Sequence, residues 1–306
     1  VCSSDLSLWI LMLIRFIHGI AFGFSSTATG TISSRIIPEN RKGEGIGYYG
    51  LSVTLASAIG PFIGLVFNNH LGFKSIFAIS LLSILIAFVL SIFIKRLPVL
   101  NHNLEAKDQP SGMHAYLQKE ALPISLVVIL IGVAYSSVLS FLSIYSEKIN
   151  LVTTSSFFFI VFAIVTFITR PFTGKIYDNY GENKVMYPVL LSFTFGLIIL
   201  GFTHTSIILL IAAAFIGFGY GTIVPTAQAI AIQQSPANKM GLATSTFYIF
   251  ADFGAGMGPF ILGIIIPFIG YRQLYMAMGM LVIIALILYY YVHGRMHKNP
   301  FNKREY

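Results

Sequence analysis

From Val185 to Asn238 the chain carries no Asp, Glu, Lys or Arg. About 20 apolar residues in a helix cross the hydrocarbon core of a bilayer, so this one run is long enough for two crossings. Thr203-His204-Thr205-Ser206 is the polar cluster at which it can turn. A soluble domain averages about 25% charged residues; here they make up 10%, against 56% apolar. The fold class expected is therefore an all-α integral membrane helical bundle. The net charge is +8, but the basic residues stand at the ends of apolar runs. That is the signature of membrane topology rather than of a phosphate-binding patch, so no nucleic acid partner is expected.

Nine apolar runs are long enough to cross: 8–34, 44–68, 75–95, 121–146, 154–177, 185–203, 206–233, 241–268 and 272–293. Threading them alternately puts fifteen Lys and Arg residues on one side and only Lys74, Lys148 and Arg272 on the other, with Arg15 inside the first run. The basic side is expected to be cytoplasmic, which places the C-terminus there in a multi-pass protein of the cell membrane. The division expected is a residual segment 1–7, a partial three-helix bundle 8–95, a polar cytoplasmic linker 96–120, a six-helix bundle 121–293 and a basic tail 294–306. Val1-Cys2-Ser3-Ser4-Asp5-Leu6 reads like the translated tail of a common sequencing adapter, so residues 1–7 are expected to be non-native and the native chain to begin earlier. One cysteine, Cys2, excludes an internal disulfide framework.

A repeat organises the remainder. Gly60-Pro61-Phe62-Ile63 returns as Gly258-Pro259-Phe260-Ile261, and Gly19, Gly23, Pro38, Asn40, Gly43 and Gly72 return at the same offset as Gly217, Gly221, Pro236, Asn238, Gly241 and Gly270. Two ungapped copies of a three-span unit imply duplication, and a duplicated unit in a membrane chain points to a transporter. Three spans before the linker and six after it imply that the first half lacks its first three.

Several residues stand out against this frame. Ala56, Gly60 and Gly64 fall on one smooth helix face, as do Gly254 and Gly258, and the prolines withhold a backbone donor. Such a face serves either as a packing groove or as a sliding seam between halves. Arg15 lies roughly 10 Å inside its span, with Gly19 on its face; it either marks a pathway or snorkels to the headgroups. Asp252 lies about 16 Å from the basic end of its span, near the midplane. It is read as a proton-carrying carboxylate or as a permanent hydrogen-bonded link between helices. Tyr135, Phe141, Tyr145, Gln228 and Tyr248 would suit an amphiphilic cavity, or simple core packing. In the turn Gly174 to Lys184, Gly174 allows close approach and Gly181 a positive φ. Asp178 could accept N–H groups at the start of a neighbouring helix, making the turn a latch, or the turn is plain solvated loop.

Arg15-Phe16-Ile17-His18-Gly19, the Ala56–Gly64 segment and the Gly174–Lys184 turn together resemble motifs of the major facilitator superfamily, in particular its twelve-span drug:proton antiporters. The resemblance spans residues 8–293, as the family's spans four to twelve. It implies that Arg15 faces a central cavity and assists proton coupling. The family's turn motif is usually basic where Asn179, Glu182 and Asn183 stand here, so a weaker latch is expected; the proton role of Asp252 rests on its position alone.

The function expected is proton-coupled efflux of small amphiphilic compounds by alternating access. A solute:proton symporter for a metabolite or sugar, and a non-transporting receptor or assembly factor with the same fold, are the alternatives. The partners expected are a small-molecule substrate, protons and the lipid bilayer, with no oligomer required. No nucleophile–base pair, metal-ligand cluster or G-x-x-x-x-G-K-[ST] loop is present, so neither an enzyme, a cofactor nor ATP drive is expected.

Overall fold

The structure, a computed structural model, describes residues 5–93 and 116–295. Eight α-helices follow one another: α1 (Asp5–Ile36), α2 (Lys42–Leu71), α3 (Phe73–Ile92), α4 (Leu122–Lys148), α5 (Val152–Tyr180), α6 (Asn183–Gly201), α7 (Ser206–Gln233) and α8 (Met240–Tyr289). Among the described residues, seven helical stretches are long and apolar enough to cross a membrane. The uncharged run divides where expected: α6 ends at Gly201, and Thr205 caps α7 by accepting the Ile208 N–H at 3.4 Å. Residues 94–115 and 296–306 lie outside the described residues, and with them most of the expected linker and tail.

Where nine spans are expected, eight continuous helices are described, because the last two runs form one element. The runs at 241–268 and 272–293 are two arms of α8, which bends at Gly270. That residue takes φ 76° and ψ 170°, a left-handed excursion open to glycine. It redirects the chain within one residue, without a connecting loop.

The 198-residue offset recurs in the backbone. Pro38 (φ −58°, ψ 146°) and Pro236 (φ −56°, ψ 144°) precede one-turn 3₁₀ helices, Glu39–Arg41 and Ala237–Lys239, which lead into α2 and α8. Gly72 (φ 80°, ψ 168°) repeats Gly270. The copies also touch: Lys42 Nζ lies 4.0 Å from Sδ of Met240, its own counterpart. Contact between equivalent residues is what a two-fold axis running between them produces; such a pseudo-axis would pass the starts of α2 and α8.

Packing follows from small residues. The main core is formed by α4–α8. α4 lies against α8, where a Cβ on Gly254 would meet the backbone of Ile129 at 2.5 Å and one on Gly132 would meet the Ala251 carbonyl oxygen at 3.1 Å. α2 lies against α5 and α7, while α1 rests on α8 through Gly30 and Thr31. In both cases contact is made by the part near the pseudo-axis. The far halves diverge: residues 8–22 of α1 are exposed, and a Cβ on Gly19, Gly60 or Gly64 would meet nothing within 4 Å.

Candidate functional site

At the end of the molecule near the pseudo-axis, three groups of contacts hold the helices together. Asp178, near the end of α5, accepts the Gly43 N–H at Oδ1 (2.7 Å) and the Glu44 N–H at Oδ2 (2.9 Å). These are first-turn amides of α2, which have no partner within their own helix, and a carboxylate there also meets the positive end of the helix dipole. Close approach makes this possible: a Cβ on Gly174 would stand 2.8 Å from Glu44 Cα, and one on Gly43 would overlap the Tyr177 ring. Gly181 ends α5 with φ 86° and returns its N–H to the Tyr177 carbonyl at 2.9 Å. Lys184, expected in the same latch, is exposed and makes no hydrogen bond or ion pair among the described residues.

Two cations read from sequence only as topology markers complete this end. Arg170 is 3% exposed and donates from Nε to the Gly47 carbonyl at 2.6 Å, tying α5 to α2. Lys42 is 1% exposed; its ammonium donates to the Ser34 carbonyl at 2.8 Å and pairs with Glu39 at 3.1 Å. Lys42 reads from sequence like any helix-end cation, whereas Arg170 lies well inside the run 154–177; for both, burial depends on which helix arrives opposite. Behind the latch, Tyr177 donates to Gln233 (2.7 Å), Tyr289 to Asn183 (2.7 Å), and His293 lies 3.0 Å from Glu182. The turn is thus anchored to α7 and α8 where the usual basic residues are replaced.

Immediately beyond the closed end lies a polar aromatic cluster. Tyr135 of α4 stacks on Tyr220 of α7, with centroids 3.5 Å apart and planes 8° apart. Gln228 of α7 donates to the Tyr248 hydroxyl at 3.3 Å, and Tyr49 of α2, beside Tyr248, shares a 2.9 Å hydrogen bond with Thr29 of α1. The Tyr135 hydroxyl is buried with no hydrogen-bond partner among the described residues. Tyr135 with Tyr220, and Gln228 with Tyr248, Tyr49 and Thr29, therefore form two neighbouring groups, about 12 Å apart along α7.

The other expected site residues fall elsewhere. Tyr145 hydrogen-bonds the Leu200 carbonyl at 3.2 Å and packs by Tyr275; Phe141 packs by Tyr271. They sit up to ten residues beyond Tyr135, about 15 Å further along α4, so they do not line the same region. Asp252, expected in an apolar enclosure, is exposed. α8 turns Gly254, Gly258 and Leu262 into the core, and two residues of helix rotate Asp252 well away from that face. It remains within electrostatic reach of Tyr220 and Tyr248. Arg15 is exposed and meets no partner among the described residues; a Cβ on Gly19 or Gly23 would meet nothing within 4 Å, while Gly30 and Thr31 touch α8. The two Gly-Pro faces differ in what covers them: a Cβ on Gly258 would overlap Ser136 of α4, whereas one on Gly60 or Gly64 would meet nothing described within 4 Å. Pro61 lies within α2, and Pro259, half-buried, within α8.

A sequence model of the Major Facilitator Superfamily matches residues 2–203 and again residues 152–305. The chain belongs to the Major Facilitator Superfamily. As a member it is a membrane transporter rather than an enzyme. Among its curated relatives, multidrug resistance protein MdtG of Salmonella arizonae is 24% identical over 281 residues, covering 88% of this chain and 68% of that protein. The Klebsiella pneumoniae protein of the same name is 24% identical over 292 residues, covering 92% and 70%. The crystal structure of the human organic anion transporter MFSD10 (TETRAN) shares the superfamily fold with a TM-score of 0.64 at 14% identity, over 86% of this chain and 67% of that one.

Proposed function

We propose that this superfamily member exports small amphiphilic compounds against inward proton flow by alternating access. The observation that carries the reading is the location of the closed end. It is held by Asp178, Arg170 and Lys42 where the two copies touch, with the Gln228–Tyr248 and Tyr135–Tyr220 groups behind it and the far halves of α1 and α2 uncovered beyond. Rocking of two repeat-related halves about the pseudo-axis would open this end and close the other. α1 to α8 would then correspond to spans four to twelve of the family's twelve, the arms of α8 being the last two. With basic loops taken as cytoplasmic, the arrangement is outward-facing, the C-terminus is cytoplasmic and the setting is the cell membrane.

The cluster suits an amphiphile: tyrosine faces offer broad apolar area, while Gln228 and the hydroxyls offer a few polar contacts. The shared name of the MdtG relatives supports drug efflux over uptake of a metabolite or sugar. Proton coupling is assigned to Asp252, beside Tyr248, with Arg15 tuning its proton affinity from α1. A carboxylate that binds a proton in one state and yields to substrate in the other would link the two flows. Asp252→Asn is expected to cut uncoupler-sensitive dye efflux from liposomes at least about tenfold, with the amount of folded protein unchanged. Dye efflux at the original rate, still abolished by a proton uncoupler, would remove Asp252 from the mechanism.

A further inference from the structure

Two basic residues of the sparsely charged end, Lys148 and Arg272, share one cleft. It is a shallow cleft of about 440 Å³ between the last turn of α4 and the break at Gly270, walled by Tyr145, Tyr271, Ile149 and Ile269, with both cations exposed at its rim. Each cation is held without being neutralised. Lys148 Nζ lies over the Tyr271 ring, 4.7 Å from its centroid. Arg272 Nη2 lies 3.0 Å from His204 Nδ1, and the guanidinium also reaches the Tyr145 hydroxyl. Neither pairs with a carboxylate among the described residues; Glu147, next to Lys148, is exposed and takes no part in an ion pair there. Lys42, by contrast, is matched by Glu39, and Arg170 by a backbone carbonyl. Two positioned, uncompensated cations over aromatic and aliphatic walls offer charge-assisted bonds to an oxyanion and apolar contact to whatever carries it.

We propose that this cleft binds an oxyanion, a phosphate or carboxylate, borne on an apolar tail. Lys148 and Arg272 take the oxygens, and the tyrosine and isoleucine walls take the tail. The site lies at the opposite end from the Asp178 latch and away from the central cluster, so it stands or falls independently of the transport mechanism. The ligand reaches it either from solution or as a lipid headgroup, and two probes separate these sources. Purified protein in neutral detergent is titrated with hexyl phosphate and followed by thermal unfolding; in parallel, native mass spectrometry counts phosphatidylglycerol retained from mixed phosphatidylcholine nanodiscs. Saturable stabilisation by hexyl phosphate, or preferential retention of phosphatidylglycerol, is expected, weakened about tenfold or more in Lys148→Gln/Arg272→Gln. Loss of the first response identifies a soluble anion, loss of the second a lipid. Lys74→Gln, a cation of the same end outside the cleft, is expected to bind as the original does. The proposal is overturned if neither probe binds, if the double variant binds both unchanged, if Lys74→Gln loses as much, or if hexanol binds as well as hexyl phosphate.

Discussion

Replacing Gly254 with leucine is expected to leave little monodisperse protein, whereas the same change at Gly60 leaves the yield unaltered. At Gly254 the new Cβ would meet the Ile129 carbonyl oxygen at 2.5 Å and its Cα at 3.0 Å, backbone atoms that cannot rotate aside. α4 and α8 would have to separate along a seam that Gly132 and Gly258 also keep close. Overpacking of a fitted core costs about 1–3 kcal/mol, and more where only the backbone can yield. A cost of at least about 3 kcal/mol is expected, a large share of a typical protein's stability. Gly60 faces open space, so Gly60→Leu should change stability by less than about 0.5 kcal/mol. Size-exclusion profiles and unfolding temperatures of both variants in one detergent make the comparison. A Gly254→Leu protein that chromatographs and melts like the original would mean that the α4–α8 seam is not as close as described.

Asp178→Ala is expected to loosen the closed end without unfolding the protein. The substitution removes two hydrogen bonds from a carboxylate to first-turn amides of α2. Bonds to charged groups contribute about 1.5–3 kcal/mol each, with the lower figure appropriate to a half-buried carboxylate. Losing about 3 kcal/mol for the pair would raise the open-to-closed ratio roughly a hundredfold. Ile46, buried on the next turn of α2, provides the reporter. In a Cys2→Ser background, Ile46→Cys should react slowly with an impermeant maleimide, and far faster once Asp178 is alanine. Equal labelling rates would show that Arg170 and Lys42 hold this end unaided. Asp178→Asn, which keeps one acceptor oxygen but no charge, should fall between the two.

Much of the fold was legible because single residues impose it. Proline fixes φ, and glycine alone readily accepts φ near 80°. The Pro38/Pro236 and Gly72/Gly270 pairs in the sequence therefore became matching turns in space. Asp178 was legible as one of two readings, an acceptor for helix-start amides or a solvated turn residue, and the Gly43 and Glu44 amides decide between them. The join between the last two runs was not, since one glycine at 270 turned the chain without the loop that a sequence reading expects. Nor was the division of the tyrosines: Tyr135 and Tyr145 look alike along α4, but ten residues carry them to different neighbours.

The sequence by itself determined that the chain is a membrane helical bundle, that it is built on a repeat of 198 residues, and where its turns and small-residue faces lie. These follow from local chemistry: hydropathy over about 20 residues, and backbone preferences at one. Only the tertiary structure decided which faces are occupied. Gly60 and Gly258 stand in the same motif, yet Gly258 packs on α4 and Gly60 on nothing described. Lys42, Lys148 and Arg272 are helix-end cations by sequence, yet Lys42 is buried against a carbonyl while the other two stand uncompensated in a cleft. Whether a small residue is a seam, or a cation a fastening, depends on the helix that arrives opposite. That partner comes from far along the chain, and nothing within a few residues of the site records it.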